Sequence, residues 1–164
     1  MNFIKELLTY IIIIILVVLV RVFLITPVRV DGESMYPTLK DKEILLLNKF
    51  DKKYERFDIV VFNYSGSKLI KRVIGLPGEH IKFVNNKLYI NGKEVKDVEN
   101  VEFTLDYDIK QLDYDVIPEN TYFLIGDNRA NSTDSRLIGP INEKEIIGKV
   151  NIVLFPFNRI RKIG

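Results

Sequence analysis

The sequence predicts a mainly β protein: an antiparallel β-sandwich or barrel-like domain preceded by one N-terminal transmembrane helix. Three observations predict it. A long apolar run stands near the start, seven β-branched or aromatic-rich stretches bounded by turn residues follow, and Asn-Asn and Asn-Gly hairpin signals punctuate them.

The apolar run is LLTYIIIIILVVLVRVFLI, Leu7 to Ile25. As a helix it would span about 28 Å, close to the hydrocarbon thickness of a bilayer. Five consecutive isoleucines and no polar face argue against a buried core helix. The following FLITPVRVDG offers no A-x-A cleavage pattern, which argues against a removed secretory leader. Arg21 interrupts the run near one end, from which it can snorkel to the headgroups. An uncleaved anchor over residues 7–25 is expected, with the domain over 26–164. Lys5 before the run and Arg29 after it barely decide its orientation.

After the anchor, strands are expected at Val28–Gly32, Glu43–Phe50, Asp58–Tyr64, Lys68–Gly75, His80–Val95, Thr121–Gly126 and Gly148–Phe157. Asn85-Asn86 and Asn91-Gly92 break the fifth stretch into hairpins. NEKEIIG, Asn142–Gly148, reads as a short helical turn. Asp97–Asn120 is acidic and only weakly alternating, which fits an inserted flap or small subdomain.

Composition excludes several chemistries. Charge is nearly balanced, 24 Lys+Arg against 22 Asp+Glu, which is no footprint for nucleic acid. The absence of cysteine removes thiol nucleophiles, disulfides and cysteine zinc sites. A single histidine, His80, makes a histidine-rich metal site a poor expectation.

A serine nucleophile then needs a base. Ser34, in GESMY, follows a glycine turn and precedes Pro37, which fixes the backbone. Tyr36 replaces the second glycine of the G-x-S-x-G elbow, so that strained turn is not expected. His80 sits at a turn-to-strand boundary and reads as structural. Ser65–Lys68, SGSK, matches S-x-x-K, but it joins two strand-like runs and suits a hairpin loop. KLIKRVIGLPG places Lys71 beside Leu69 and Val73 on one strand face, and Arg72 beside Ile70 and Ile74 on the other. Exposed, Lys71 would snorkel into water, with only about one amine in 2,500 neutral at pH 7. Buried, its pKa falls and it becomes a base. GDNRANSTDSR, Gly126–Arg136, packs acids, asparagines, arginines and serines densely enough for a charge-assisted network.

Taken together, GESMYPTL, RFDIVVF, KRVIGLPGE and GDNRANSTDSR, in that order after one hydrophobic anchor, resemble bacterial type I signal peptidase in its short, single-span form. The resemblance runs from the anchor to about Gly148. It implies a membrane-anchored serine endopeptidase that removes signal peptides from exported preproteins. The cut would follow small residues of the Ala-x-Ala type, made by a Ser-Lys dyad through an acyl-enzyme without cofactor or metal. Ser34 would be the nucleophile, Lys71 the general base, and Ser132 the hydroxyl that orients the lysine amine. Arg72, Asp127, Arg129, Asp134 and Arg136 would support the site, and Met35 would border a substrate pocket. Gly32 stands where some members carry an oxyanion-hole serine, and Phe57 where many carry glycine. The implied partners are exported preproteins, with the signal peptide extended, and the lipid bilayer. Residues 1–6 would be a short cytoplasmic tail, with the catalytic domain on the outer side of the cytoplasmic membrane.

Overall fold

The computed structural model describes residues 2–23, 25–99, 101 and 103–163. One helix, α1 (Asn2–Phe23), leads into a chain of short strands. These are β1 (Ile25–Arg29), β2 (Ile44–Asn48), β3 (Ile59–Tyr64), β4 (Ser67–Gly75), β5 (Ile81–Val84), β6 (Lys87–Ile90) and β7 (Lys93–Val95). They continue with β8 (Tyr107–Asp108), β9 (Thr121–Ile125), β10 (Ile141–Asn142), β11 (Ile146–Phe155) and β12 (Arg161–Lys162). A four-residue helix, α2 (Ser135–Ile138), follows β9.

α1 begins five residues before the expected anchor and ends at Phe23. Ile25, expected within the anchor, instead opens β1, because its backbone pairs with Asn48 of β2. The isoleucines and leucines of α1 are exposed wherever they are described; Ile12, for example, is 64% exposed. Among the described residues no helix is long and apolar enough to cross a membrane. Side chains of α1 are described over residues 3–19, one turn short of its end at Phe23.

The strands form two antiparallel sheets. The larger runs β1-β2-β11-β3-β4-β9-β10, with β12 also on β11; the smaller runs β7-β6-β5-β8. Three of the hairpins turn on two residues with positive φ: Ser65-Gly66, Asn85-Asn86 and Asn91-Gly92. That geometry matches the twist of the paired strands, so the SGSK stretch is a hairpin loop as its composition suggests. Residues 97–120, expected as an inserted flap or small subdomain, bring β8, Ile109 and Ile117 to the core of the smaller sheet.

Alternation along β3 divides the interior. Ile59 and Val61 join a cluster with Val30, Met35, Leu45 and Val150, while Val60 and Phe62 join Tyr54, Val73 and Ile146 on the opposite face. Both faces of β3 are therefore buried, which is why it reads as a continuous apolar run rather than an alternating one. β4 lies between β3 and β9, in the sheet interior. Any polar side chain in its buried part must find a protein partner or change its charge. β1, by contrast, is an edge strand with Pro27 in it, a residue edges tolerate because its missing N–H leaves no ladder bond unmade.

Candidate active site

The middle of β4 carries the two cations that stood out in the sequence. Arg72 and Lys71 are both buried. Arg72 forms a bidentate pair with Asp127, Nε donating to Oδ1 at 2.9 Å and Nη2 to Oδ2 at 2.7 Å. Its Nη1 donates to the Phe57 carbonyl at 2.8 Å. Phe57 adopts φ +73°, a left-handed backbone that glycine takes more readily than phenylalanine. Its N–H donates to Val73 O at 2.7 Å, closing the turn onto β4.

Among the described residues no carboxylate is in hydrogen-bond contact with Lys71. Its Nζ lies 2.7 Å from Ser34 Oγ and 3.1 Å from the Ile70 carbonyl. With a relative exposure of 2%, the ammonium cannot be hydrated as in water. Burial pushes its pKa down to about 8, against the smaller opposing pull of Asp134 and Asp127. A charged amine donates to the hydroxyl; a neutral one accepts the hydroxyl proton. The geometry serves both states.

Ser34 sits in a turn that is held from two sides. Tyr36 N donates to Glu33 O at 2.9 Å and Leu39 N to Met35 O at 2.8 Å, winding the segment locally. From the loop after β9, Asn128 N donates to Ser34 O at 3.1 Å and Asn128 Nδ2 to Glu33 O at 3.1 Å. The sequence placed Asn128 in a dense polar loop but gave it no role. Its signal was only its position between Asp127 and Arg129.

The remaining expected residues fall into two groups. Asp134 caps α2, accepts both Nε and Nη2 of Arg136 at 2.9 and 2.8 Å, and accepts Gly126 N at 3.0 Å. It thus ties the loop back onto the end of β9. Arg129 is engaged by other residues: Nη1 donates to Asp97 Oδ2 at 2.7 Å and to Thr104 Oγ1 at 2.8 Å, above the Phe83 ring. Asp97 and Thr104 were not anticipated, because that contact spans 32 residues for Asp97 and leaves no local pattern.

Ser132 departs from expectation. Its Oγ is buried and makes no hydrogen bond to protein, rather than holding the lysine amine. The amine's partners are Ser34 and Ile70 instead. Ser132 nonetheless lies close to the site. A Cβ on Gly126 would collide with both Ser132 Oγ and the Ser34 carbonyl, so the missing side chain at 126 is what lets the two segments meet.

Beside Ser34 opens a cavity of ≈ 510 Å³ lined by Val28, Arg29, Val30, Met35, Lys68 and Ile70, among others. Met35 borders it. Gly32, at φ +89°, donates its N–H to Asp41 Oδ1 at 3.0 Å, and the space where its side chain would project is open. His80 is distant in role: Nδ1 contacts Asp115 O at 2.7 Å and Nε2 approaches Asp108 at 3.3 Å. No group of three His, Cys, Asp or Glu side chains suited to a metal occurs among the described residues.

A hydroxyl with a buried amine against it, opening on a cleft along an edge strand, belongs with enzymes that cut peptide bonds, and comparison with known proteins agrees: the chain is a serine peptidase. The family described as signal peptidase, peptidase S26, matches residues 3–155, and the chain belongs to that family. It is 42% identical to a signal peptidase I of Bacillus amyloliquefaciens, over 93% of this chain and 88% of that one. With signal peptidase IB of Staphylococcus aureus the identity is 37%, over 96% and 94% of the two chains. A crystal structure of a signal peptidase I from Enterococcus faecalis superposes with a TM-score of 0.55 at 33% identity, covering 59% of this chain and 96% of that one. Membership in this family supports the removal of signal peptides from preproteins as the reaction served.

Proposed function

We propose that the chain is a membrane-anchored signal peptidase in which Ser34 is the nucleophile and Lys71 the general base, cutting preproteins after small residues of the Ala-x-Ala type. The observation that carries this reading is the 2.7 Å approach of the buried Lys71 Nζ to Ser34 Oγ at the wall of the cavity.

The chemistry follows from the pair. Neutral Nζ accepts the Ser34 proton as Oγ bonds to the scissile carbonyl carbon, and the carbonyl π electrons move onto oxygen. The Ser34 N–H helps hold that oxyanion, with a second donor supplied near Gly32 by backbone or water. Collapse expels the amide nitrogen, which takes the proton from the ammonium and leaves an ester on Ser34. Water then attacks the ester carbonyl, giving its proton to Nζ. Oγ leaves, recovers that proton, and a carboxylate product departs.

Substrate recognition is proposed to follow from the edge strand. An extended segment adds beside β1, presenting alternate side chains to the cavity that Val28, Val30, Met35 and Ile70 line. In this reading α1 anchors the enzyme in the cytoplasmic membrane, supported by its run of exposed isoleucines, with residues 26–164 on the outer side.

Purified protein in detergent, given a preprotein with an Ala-x-Ala site, is expected to release the signal peptide. Ser34→Ala and Lys71→Ala are each expected to reduce the rate by roughly 10³-fold or more. Cleavage that survives either substitution rejects the dyad; an inactive parent rejects the enzymatic reading.

A further inference from the structure

Ser132 leaves a question that the dyad does not answer. Its buried hydroxyl has no protein partner, and two other buried side-chain atoms among the described residues share that condition: Tyr107 Oη and Arg129 Nε. All three side chains line one cavity of ≈ 290 Å³, together with Asp106, Gln111 and Arg136. Three orphaned polar atoms scattered at random would be ordinary imperfections. Three converging on one cavity point to something that satisfies them together.

Charge identifies the class of occupant. The arginine forks are already engaged, Arg129 by Asp97 and Arg136 by Asp134, and Asp106 contributes a further negative group. No cation is left unpaired to select an anion, and the orphans include a hydroxyl that accepts as well as donates. A neutral molecule that both gives and takes hydrogen bonds fits. Water needs about 30 Å³ and two to four polar partners, and this cavity offers both.

We propose that Tyr107 is a positioning residue for peptide cleavage: ordered water held by Tyr107 Oη and Arg129 Nε bonds Ser132 and fixes its hydroxyl beside the dyad. The inference rests on the Ser34–Lys71 reading above. It also gives residues 97–120 a part in the chemistry, since β8 carries Tyr107 from the smaller sheet to the loop after β9. Tyr107 is locked in place by its ring, 5.7 Å from Phe123 and tilted against it. Asp134, Arg136 and Asp108 act electrostatically on its hydroxyl, and burial holds it protonated, with its pKa near 12, so it stays a donor at working pH.

The test is a double-mutant cycle in the full chain, with preprotein cleavage as readout. Tyr107→Phe is expected to lower kcat about fivefold to tenfold with KM unchanged, the loss of one well-placed hydrogen bond. The alkaline-rising limb of the rate, which reports Lys71 under the influence of Asp127 and Asp134, should move as well. In a Ser132→Ala background the same substitution should have no further effect. An unchanged kcat and limb, or an equal loss in both backgrounds, overturns the proposal while an active parent leaves the dyad reading intact. A crystal structure of the unsubstituted protein supplies a second readout independent of any variant's folding. Ordered water within hydrogen-bond distance of both Tyr107 Oη and Ser132 Oγ supports the proposal, and a dry or apolar-filled cavity contradicts it.

Discussion

Lys71 concentrates the tension between folding and chemistry in one side chain. Its pKa of about 8, against an ordinary 10.5, means that the unfolded chain binds the proton more tightly than the folded one. The penalty is therefore complete below about pH 8, shrinks between there and 10.5, and vanishes above. At about 1.36 kcal/mol per unit the shift amounts to roughly 3 kcal/mol at neutral pH. Lys71→Met, which keeps the shape and removes the charge, should abolish cleavage yet raise stability to urea at pH 7 by up to about 3 kcal/mol. At pH 10 that gain should be mostly gone. A variant less stable than the parent at both values would show that the amine is better solvated than its surroundings suggest.

At the level of elements, the site is a junction between β4 and the loop that follows β9. Arg72 on β4 and Asp127 on the loop form the joint, both nearly inaccessible to solvent. Asp127→Ala leaves a guanidinium buried without its counter-charge, a change that typically costs about 3–5 kcal/mol. Urea unfolding should register that loss. Activity should fall more steeply, because the neighbouring Asn128 holds the Ser34 turn; a loss below about 1 kcal/mol would place the joint at the surface instead. The same elements explain what could be read in advance. β3 and β4 announce themselves through β-branched runs, and the hairpins through Asn-Asn and Asn-Gly, since both signals are local. β8, β10 and β12, at two residues each, are too short for any periodicity to declare them. Ile25 closes the apolar run in the sequence yet belongs to a strand, drawn there by Asn48, a partner that hydropathy does not see. Lys71 was visible as a cation in an apolar run. The grip of Asn128 on Glu33, 95 residues away, was not.

The molecule as a whole joins an apolar helix to a sheet whose edge strand among the described residues, β1, begins at Ile25. If α1 lies in the bilayer, as proposed, enzyme and signal peptide share a two-dimensional reservoir, and the helix raises their effective concentration without touching the chemistry. A chain truncated before Thr26 should thus cleave a short soluble Ala-x-Ala peptide at a rate close to the parent's. Its rate on preprotein in vesicles should fall by about 10²-fold or more. Equal losses on both substrates would mean that α1 supports the fold rather than the encounter. The central claim, however, is an amine that is uncharged in a substantial fraction of molecules near neutrality while it touches a serine hydroxyl. Its most direct test is an NMR titration of the Lys71 side-chain nitrogen in the active, detergent-solubilised protein. The account predicts a midpoint near 8, displaced when Ser34 is acylated. A midpoint at the ordinary 10.5, unmoved by acylation, would contradict it.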